Sequence, residues 1–234
     1  MKKILLFFIL IFFFDRVKPQ QFIIGFQTGI GTYAMKDLKS INDEIMSNIP
    51  FDTKLMSDFP PYYFYRPVIS IKYQYFSLGV LYTFCSTGSR ISARDYSGEY
   101  LFDMKINANS PGVCLDVEVL SKRNFHFALG MIFGSLSTDL RTHEFFSLLD
   151  SVYYDDSFLY ESLNYLFEPG LKISYHINRL EIGMHIDYLL QIGEQAFYFG
   201  NNMKNMIYNS ITRQPVKPDW TGLRIGFSLY CTFP

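Results

Sequence analysis

The final stretch of the chain, from Asp219 to Pro234, restricts the possible folds more than any other. Apolar and polar side chains alternate through it. Leu223, Ile225, Phe227, Leu229, Cys231 and Phe233 share one face of a strand; Gly222, Arg224, Gly226, Ser228, Tyr230 and Thr232 share the other. Side chains repeat along a strand with period two, so one face is apolar and the other is polar and carries a charge. About 9–11 such residues cross a bilayer as a tilted strand, and this stretch is long enough.

The same alternation recurs upstream. Candidate strands run over Phe22–Tyr33, Tyr62–Gln74, Ser77–Thr87, Met104–Leu120, Phe125–Leu140, Tyr160–Tyr175 and Leu180–Ile192, which with the last stretch makes eight. Tight turns are expected near Tyr75–Phe76, at Ser121–Asn124 and at Ile177–Asn178. Between them lie long connections, among them a polar loop over Gly88–Asp103, an acidic loop over Arg141–Leu159 and a long run to Pro218. The alternation slips between Asn107 and Gly112, beside Pro111, which predicts a β-bulge. Over Met35–Ile49 the period changes: Met35, Leu38, Ile41, Ile45 and Ile49 are three or four apart, the spacing of an amphipathic helix. Turns and long loops alternate strictly. The expected fold is therefore all-β: an eight-stranded antiparallel up-and-down transmembrane β-barrel with a short amphipathic helix in its first long loop.

Alternation alone fits a soluble lipocalin-like carrier equally well, with the apolar face turned inward. The glycines decide the orientation. Gly25, Gly29, Gly31, Gly79, Gly112, Gly130, Gly134, Gly170, Gly183, Gly222 and Gly226 all share the polar face. Glycine weakens strands, and on a solvated exterior this segregation serves nothing; inside a narrow barrel it makes room for long side chains. The polar face also carries Lys72, Asp116, Glu118, His126, Glu168, Lys172, Glu181, His185, Asp187 and Arg224, the mixed signs that an enclosed charge network requires. Aromatic residues gather near strand ends on the apolar face. Phe22, Tyr73, Tyr75, Phe125, Tyr175 and Phe233 fall at the tight-turn end; Tyr63, Tyr65, Tyr82, Phe84, Phe167 and Tyr188 fall towards the other, as two interfacial girdles would.

Met1–Gln21 reads as a secretory signal, with Lys2 and Lys3 ahead of the apolar run Ile4–Phe14, which is too short for an ordinary spanning helix. No small-x-small cleavage pattern precedes Gln20 or Gln21, so an uncleaved anchor is the rival reading. Residues 22–234 then form the barrel. A net charge of -1 gives no electrostatic case for nucleic acid. Cys85, Cys114 and Cys231 make an odd count and lack metal-ligand spacing, and no cofactor or metal site is expected.

By this topology, by the glycine-and-charge face and by the terminal Leu229-Tyr-Cys-Thr-Phe233, the chain resembles the small eight-stranded outer-membrane barrels of the OmpA/OmpX type. More broadly it resembles the outer-membrane β-barrel domain family of Gram-negative bacteria. The stretch Gly29–Lys39 is similar to that family's first strand and loop. The resemblance implies residence in the bacterial outer membrane, contact with its lipid and insertion by the barrel-assembly machinery, with Leu223, Ile225, Phe227, Leu229 and Phe233 on the closing strand. Pro234 departs from the pattern, since such barrels end on the aromatic. The family has no single function.

Chemistry-bearing residues are few. His185 and Asp187, two apart on the inner face, have the pairing of an oriented imidazole. His143, Glu144 and Ser147 lie on the acidic loop, where a lipid-modifying hydrolase or acyltransferase would place them. Asp155–Asp156 lacks the oxygen-rich spacing of a dedicated Ca²⁺ site. The helix is expected to lie along the barrel rim, with partner docking or a partial lid as alternatives. Three functions follow. The first is a non-enzymatic barrel serving envelope structure, adhesion or an extracellular or envelope protein partner through long loops. The others are an outer-leaflet lipid-modifying enzyme and a secreted carrier.

Overall fold

A computed structural model describes residues 21–49, 53–94, 96, 98–149, 151–200, 205–209 and 212–233. Met1–Gln20, all but the last residue of the Met1–Gln21 span expected to hold the secretory signal, and the terminal Pro234 lie outside them. In chain order the elements are β1 (Gln21–Gly31), α1 (Lys36–Asn48), β2 (Lys54–Asp58), β3 (Tyr62–Tyr73), β4 (Phe76–Arg94), β5 (Gly98–Lys122), β6 (Phe125–Leu148), β7 (Ser151–Ile177), β8 (Leu180–Ile192), β9 (Tyr198–Phe199) and β10 (Gly222–Phe233).

Eight of the ten strands close a barrel. Antiparallel pairing runs β1-β3-β4-β5-β6-β7-β8-β10 and returns to β1, where Phe22 faces Phe233 and Gly31 faces Arg224. Closure leaves no edge in the wall, which lets strands cross hydrocarbon with every backbone group paired. No described helix is long and apolar enough to cross a membrane. Leu223, Ile225, Phe227, Leu229 and Phe233 are exposed outside the wall, as are Phe22, Ile24, Phe26 and Ile30 on β1 and every second residue from Leu180 to Ile192 on β8. A strand of β8's 13 residues, at roughly 3.3 Å per residue and ~45° tilt, rises about 28 Å, close to the apolar band of a bilayer-spanning barrel. An apolar belt of this extent, continuous around the wall, is untenable in water. With charged side chains inside, the soluble-carrier orientation is excluded.

The three tight turns share one end. They fall at Gln74–Tyr75, Arg123–Asn124 and Asn178–Arg179, each opening on a residue at positive φ (50°, 54° and 57°), as two-residue hairpin connections favour. The first and third sit one residue away from the turns expected around Tyr75–Phe76 and Ile177–Asn178.

Larger corrections lie at the other end. Gly88–Asp103 and Arg141–Leu159 are not loops. β4 continues to Arg94 and β5 begins at Gly98, still paired from Gly88↔Lys105 to Arg94↔Glu99; β6 and β7 stay paired up to Leu148↔Ser151. No bulge separates Asn107 from Gly112 either: β5 keeps one register against β6 from Gly98 to Glu118, and the shift comes at Val119. What slips near Pro111 is the chemistry of the two faces. Below it Val113 points outward and Cys114 inward; above it the inward residues are Ala108, Ile106, Met104 and Phe102, all buried, while Asn109, Asn107 and Lys105 face out.

Those inward apolar residues form a second core above the apolar belt. It gathers Ile91, Phe102, Met104, Ile106, Leu136 and Leu140 from the raised strands, Met35 and Leu38 from the start of α1, and Phe197, Val216 and Trp220 from the segment between β8 and β10. Trp220 donates to Thr138 Oγ1 at 3.1 Å and meets Tyr62 edge-on at 5.2 Å. α1 is tied down by Asn42, which donates to Asp58 and accepts from Ser89 on the inner face of β4, and by Asp37, which accepts from the Lys217 backbone. The helix therefore closes the mouth rather than lying along the rim. The short strands β2 and β9 extend the raised sheet at its two sides, on β4 and β7.

Candidate functional site

Inside the wall the long polar side chains form two layers. The central layer is built on Glu168 of β7, fully buried between two guanidiniums. Arg66 Nη2 lies 2.6 Å from one carboxylate oxygen and Arg224 Nη1 2.8 Å from the other. Arg66 also donates to Thr83 and Gln27, both at 2.9 Å, and approaches Asp187 at 3.6 Å. Arg224 donates to Tyr62 Oη at 2.8 Å and reaches Cys85 Sγ at 3.9 Å. Gln27 donates in turn to Tyr230. Each guanidinium thus has one oxygen of Glu168 within hydrogen-bonding distance, the condition on which two buried cations are tolerated.

Glycines make the space. A Cβ on Gly170 would stand 1.9 Å from Asp187, and one on Gly25 1.9 Å from the ring of Tyr230. His185 Nδ1 lies 2.6 Å from Asp187, but its Nε2 is buried, unpartnered and packed against Gly226. That pair is sealed inside the wall, with no position beside Nε2 for a substrate.

Nearer the tight turns a second layer holds two similar groups. Glu118 takes Lys72 at 2.7 Å and His126 at 3.1 Å; Glu181 takes Lys172 and His176, each at 3.0 Å. Lys172 also stands 3.8 Å over the Tyr230 ring. Asp116 accepts from Ser77 at 3.5 Å. The space between the layers is a cavity of about 70 Å³, room for a few waters and not for an acyl chain or a diffusing solute.

Each interior residue expected from sequence thus points into the barrel, and the structure joins Lys72 to Glu118 and His126, Lys172 to Glu181, Arg224 to Glu168, and His185 to Asp187. Sequence reasoning missed Arg66, Gln27, Tyr62, His176 and Tyr230 as members. Arg66 was legible: counting back in twos from Lys72 through Ser70 and Val68 reaches it.

The other candidates separate. His143 and Glu144 are neighbours on β6, so they project to opposite faces. His143 pairs outward with Asp155 at 3.0 Å, while Glu144 accepts from Tyr100 at 3.1 Å. Burial, and then that carboxylate, push the Tyr100 phenol well above its usual range. Ser147 stands four residues from His143, roughly 13 Å along a strand, so no nucleophile–base pair forms. Among the described residues no three His, Cys, Asp or Glu side chains converge as a metal-holding group, and Asp155–Asp156 forms none. Cys85, Cys114 and Cys231 are all free thiols.

No family model and no curated protein matches the chain. Among solved structures it is similar to the attachment invasion locus protein Ail of Yersinia pestis, with 10% identity, a TM-score of 0.35 and coverage of 91% of this chain and 94% of that one. It is also similar to the outer membrane protease OmpT from Escherichia coli, with 8% identity, a TM-score of 0.40 and coverage of 92% and 98%. Identities this low and superpositions this loose carry neither protein's activity to this chain.

Proposed function

We propose that the chain is a non-enzymatic barrel of the bacterial outer membrane, delivered by a secretory signal and the barrel-assembly machinery, whose work is done by the raised hairpins as a platform for a protein partner. One observation carries the reading: the strands continue, fully paired, beyond the apolar belt and end in tips that present Tyr96 (fully exposed), Leu149, Val152 and Tyr153 to solvent. Aromatic side chains held on ordered strands offer contact area at low entropic cost. A filled interior and a capped mouth argue against a diffusion pore, and the separation of His143, Glu144 and Ser147 argues against acyl transfer.

The test removes the β6–β7 tip and keeps the barrel. In cells displaying the protein, deleting His143–Ser157 (a paired set of positions) weakens binding to envelope or extracellular proteins, while the heat-dependent gel mobility of the barrel persists. Undiminished binding by the shortened chain, or acyl release from outer-membrane lipid by the intact one, contradicts the reading.

A further inference from the structure

The chain has 4 histidines, and two of them, both at the edge of the second ion layer, meet ring to ring. His126 on β6 and His176 on β7 are diagonal neighbours on the inner wall, close to the tight turns: His126 faces Ser174, and the His176 backbone donates to Asn124 at 2.8 Å. Their ring centroids are 4.1 Å apart, with planes inclined at 45°.

Each ring is held from behind by a carboxylate. Glu118 engages His126 at Nδ1, and Glu181 engages His176 at Nε2. The remaining nitrogens, His126 Nε2 and His176 Nδ1, have no hydrogen-bond partner among the described residues. A carboxylate on the far nitrogen is the outer-shell support that fixes ring orientation and raises ligand basicity at metal sites.

Charge and access agree. Lys72 and Lys172 are each matched by a glutamate, and Asp116 adds a further carboxyl group that has no cation within 4.0 Å among the described residues. Both imidazoles line the cavity and are partly solvent-accessible. Zn–N bonds of about 2.0–2.1 Å place two tetrahedral nitrogens roughly 3.4 Å apart, so sharing one ion requires the two rings to turn their free nitrogens towards each other and to open from their present 4.1 Å spacing.

We propose that His126 and His176 form a two-histidine site for one borderline divalent transition-metal ion, of the Zn²⁺ or Ni²⁺ kind, with waters completing its coordination. Two nitrogen donors and no thiolate suit such ions and not Ca²⁺ or Mg²⁺. The ion links β6 to β7 at the tight-turn end.

The test is calorimetric titration of the intact chain in detergent with Zn²⁺ alone. One ion binds per chain. His126→Ala and His176→Ala each weaken binding at least tenfold, and His143→Ala leaves it unchanged. Glu118→Gln and Glu181→Gln weaken it about ten- to a hundredfold. Each variant is first shown to be folded by gel mobility. A measurement on the unaltered protein guards against variants that fail to fold: Zn²⁺ protects His126 and His176, but not His143, from carbethoxylation read by mass spectrometry. Absence of Zn²⁺ binding overturns the proposal. So does binding that survives loss of both rings, or that depends on His143, or that leaves both rings reactive in the unaltered protein.

Discussion

Strand β5 is one unbroken strand in two solvents. Below Pro111 it turns Val113, Leu115 and Val117 outward and Cys114, Asp116 and Glu118 inward; above it, Asn109, Asn107 and Lys105 face out and Ala108, Ile106 and Met104 face in. β4 changes in the same way, from Val80, Tyr82 and Phe84 outward to Ser86 and Arg90 outward with Ile91 buried inside. Backbone, register and period are common to both halves. Only the medium outside the wall differs. In hydrocarbon the polar residues have nowhere to go but inward, where they must neutralise one another; above it the ordinary rule of an apolar interior returns. Mutations sort by which half they touch.

The largest effect belongs to the lower interior. Glu168 is shared by two guanidiniums, so Glu168→Ala leaves Arg224 buried without a carboxylate and costs about 3–5 kcal/mol. Arg224→Ala costs less, because Arg66 still holds Glu168. The double variant recovers part of the Glu168→Ala loss, as denaturant titration in detergent will show. In the upper core, Trp220→Ala costs about 3 kcal/mol by leaving a cavity, but the loss is local. Proteases gain access to α1 and to the segment before β10 while the lower barrel keeps its gel mobility. If the whole barrel fails with it, the two cores are not separable.

The outer face gives the next contrast. Phe227→Arg, in the belt, costs about 2–4 kcal/mol, whereas Asn107→Arg, on the same outward face above it, stays within about 0.5 kcal/mol. Equal costs at the two positions remove the boundary. The smallest effect is Lys122→Ala, on an exposed strand end beside a tight turn, within about 0.5 kcal/mol.

This contrast also explains how much the sequence disclosed. Strands from β1 to β10 that lie in the belt were legible because a two-solvent wall writes apolar-out, polar-in at every second residue, and Gly25 and Gly170 marked the crowded side. α1 was legible from its change of period. The raised halves were read as loops because the inversion at Pro111 looks, to a reader expecting one pattern, like loss of pattern; Asn107 and Asn109 suggested a bulge when they were outward residues in water. A partial lid was one of the alternatives for α1, but its packing with Phe197 and Trp220 was not legible, since it joins segments separated by most of the chain. Among site residues, Arg66 stood in the alternation six residues before Lys72 and was overlooked. His176 was missed because Asn178 drew attention to the turn and away from the strand end.

The inversion is tested most directly by placing single nitroxide labels along β5 of the protein in liposomes and comparing collision with dissolved oxygen and with a water-soluble nickel chelate. Labels at Val113 and Val117 should collide with oxygen and be shielded from nickel. Labels at Asn109, Asn107 and Lys105 should show increasing nickel access, and labels at Ile106 and Met104 should be reached by neither. Nickel access at Val113 equal to that at Lys105, or oxygen preference continuing unchanged up to Lys105, would contradict a wall that changes solvent at Pro111.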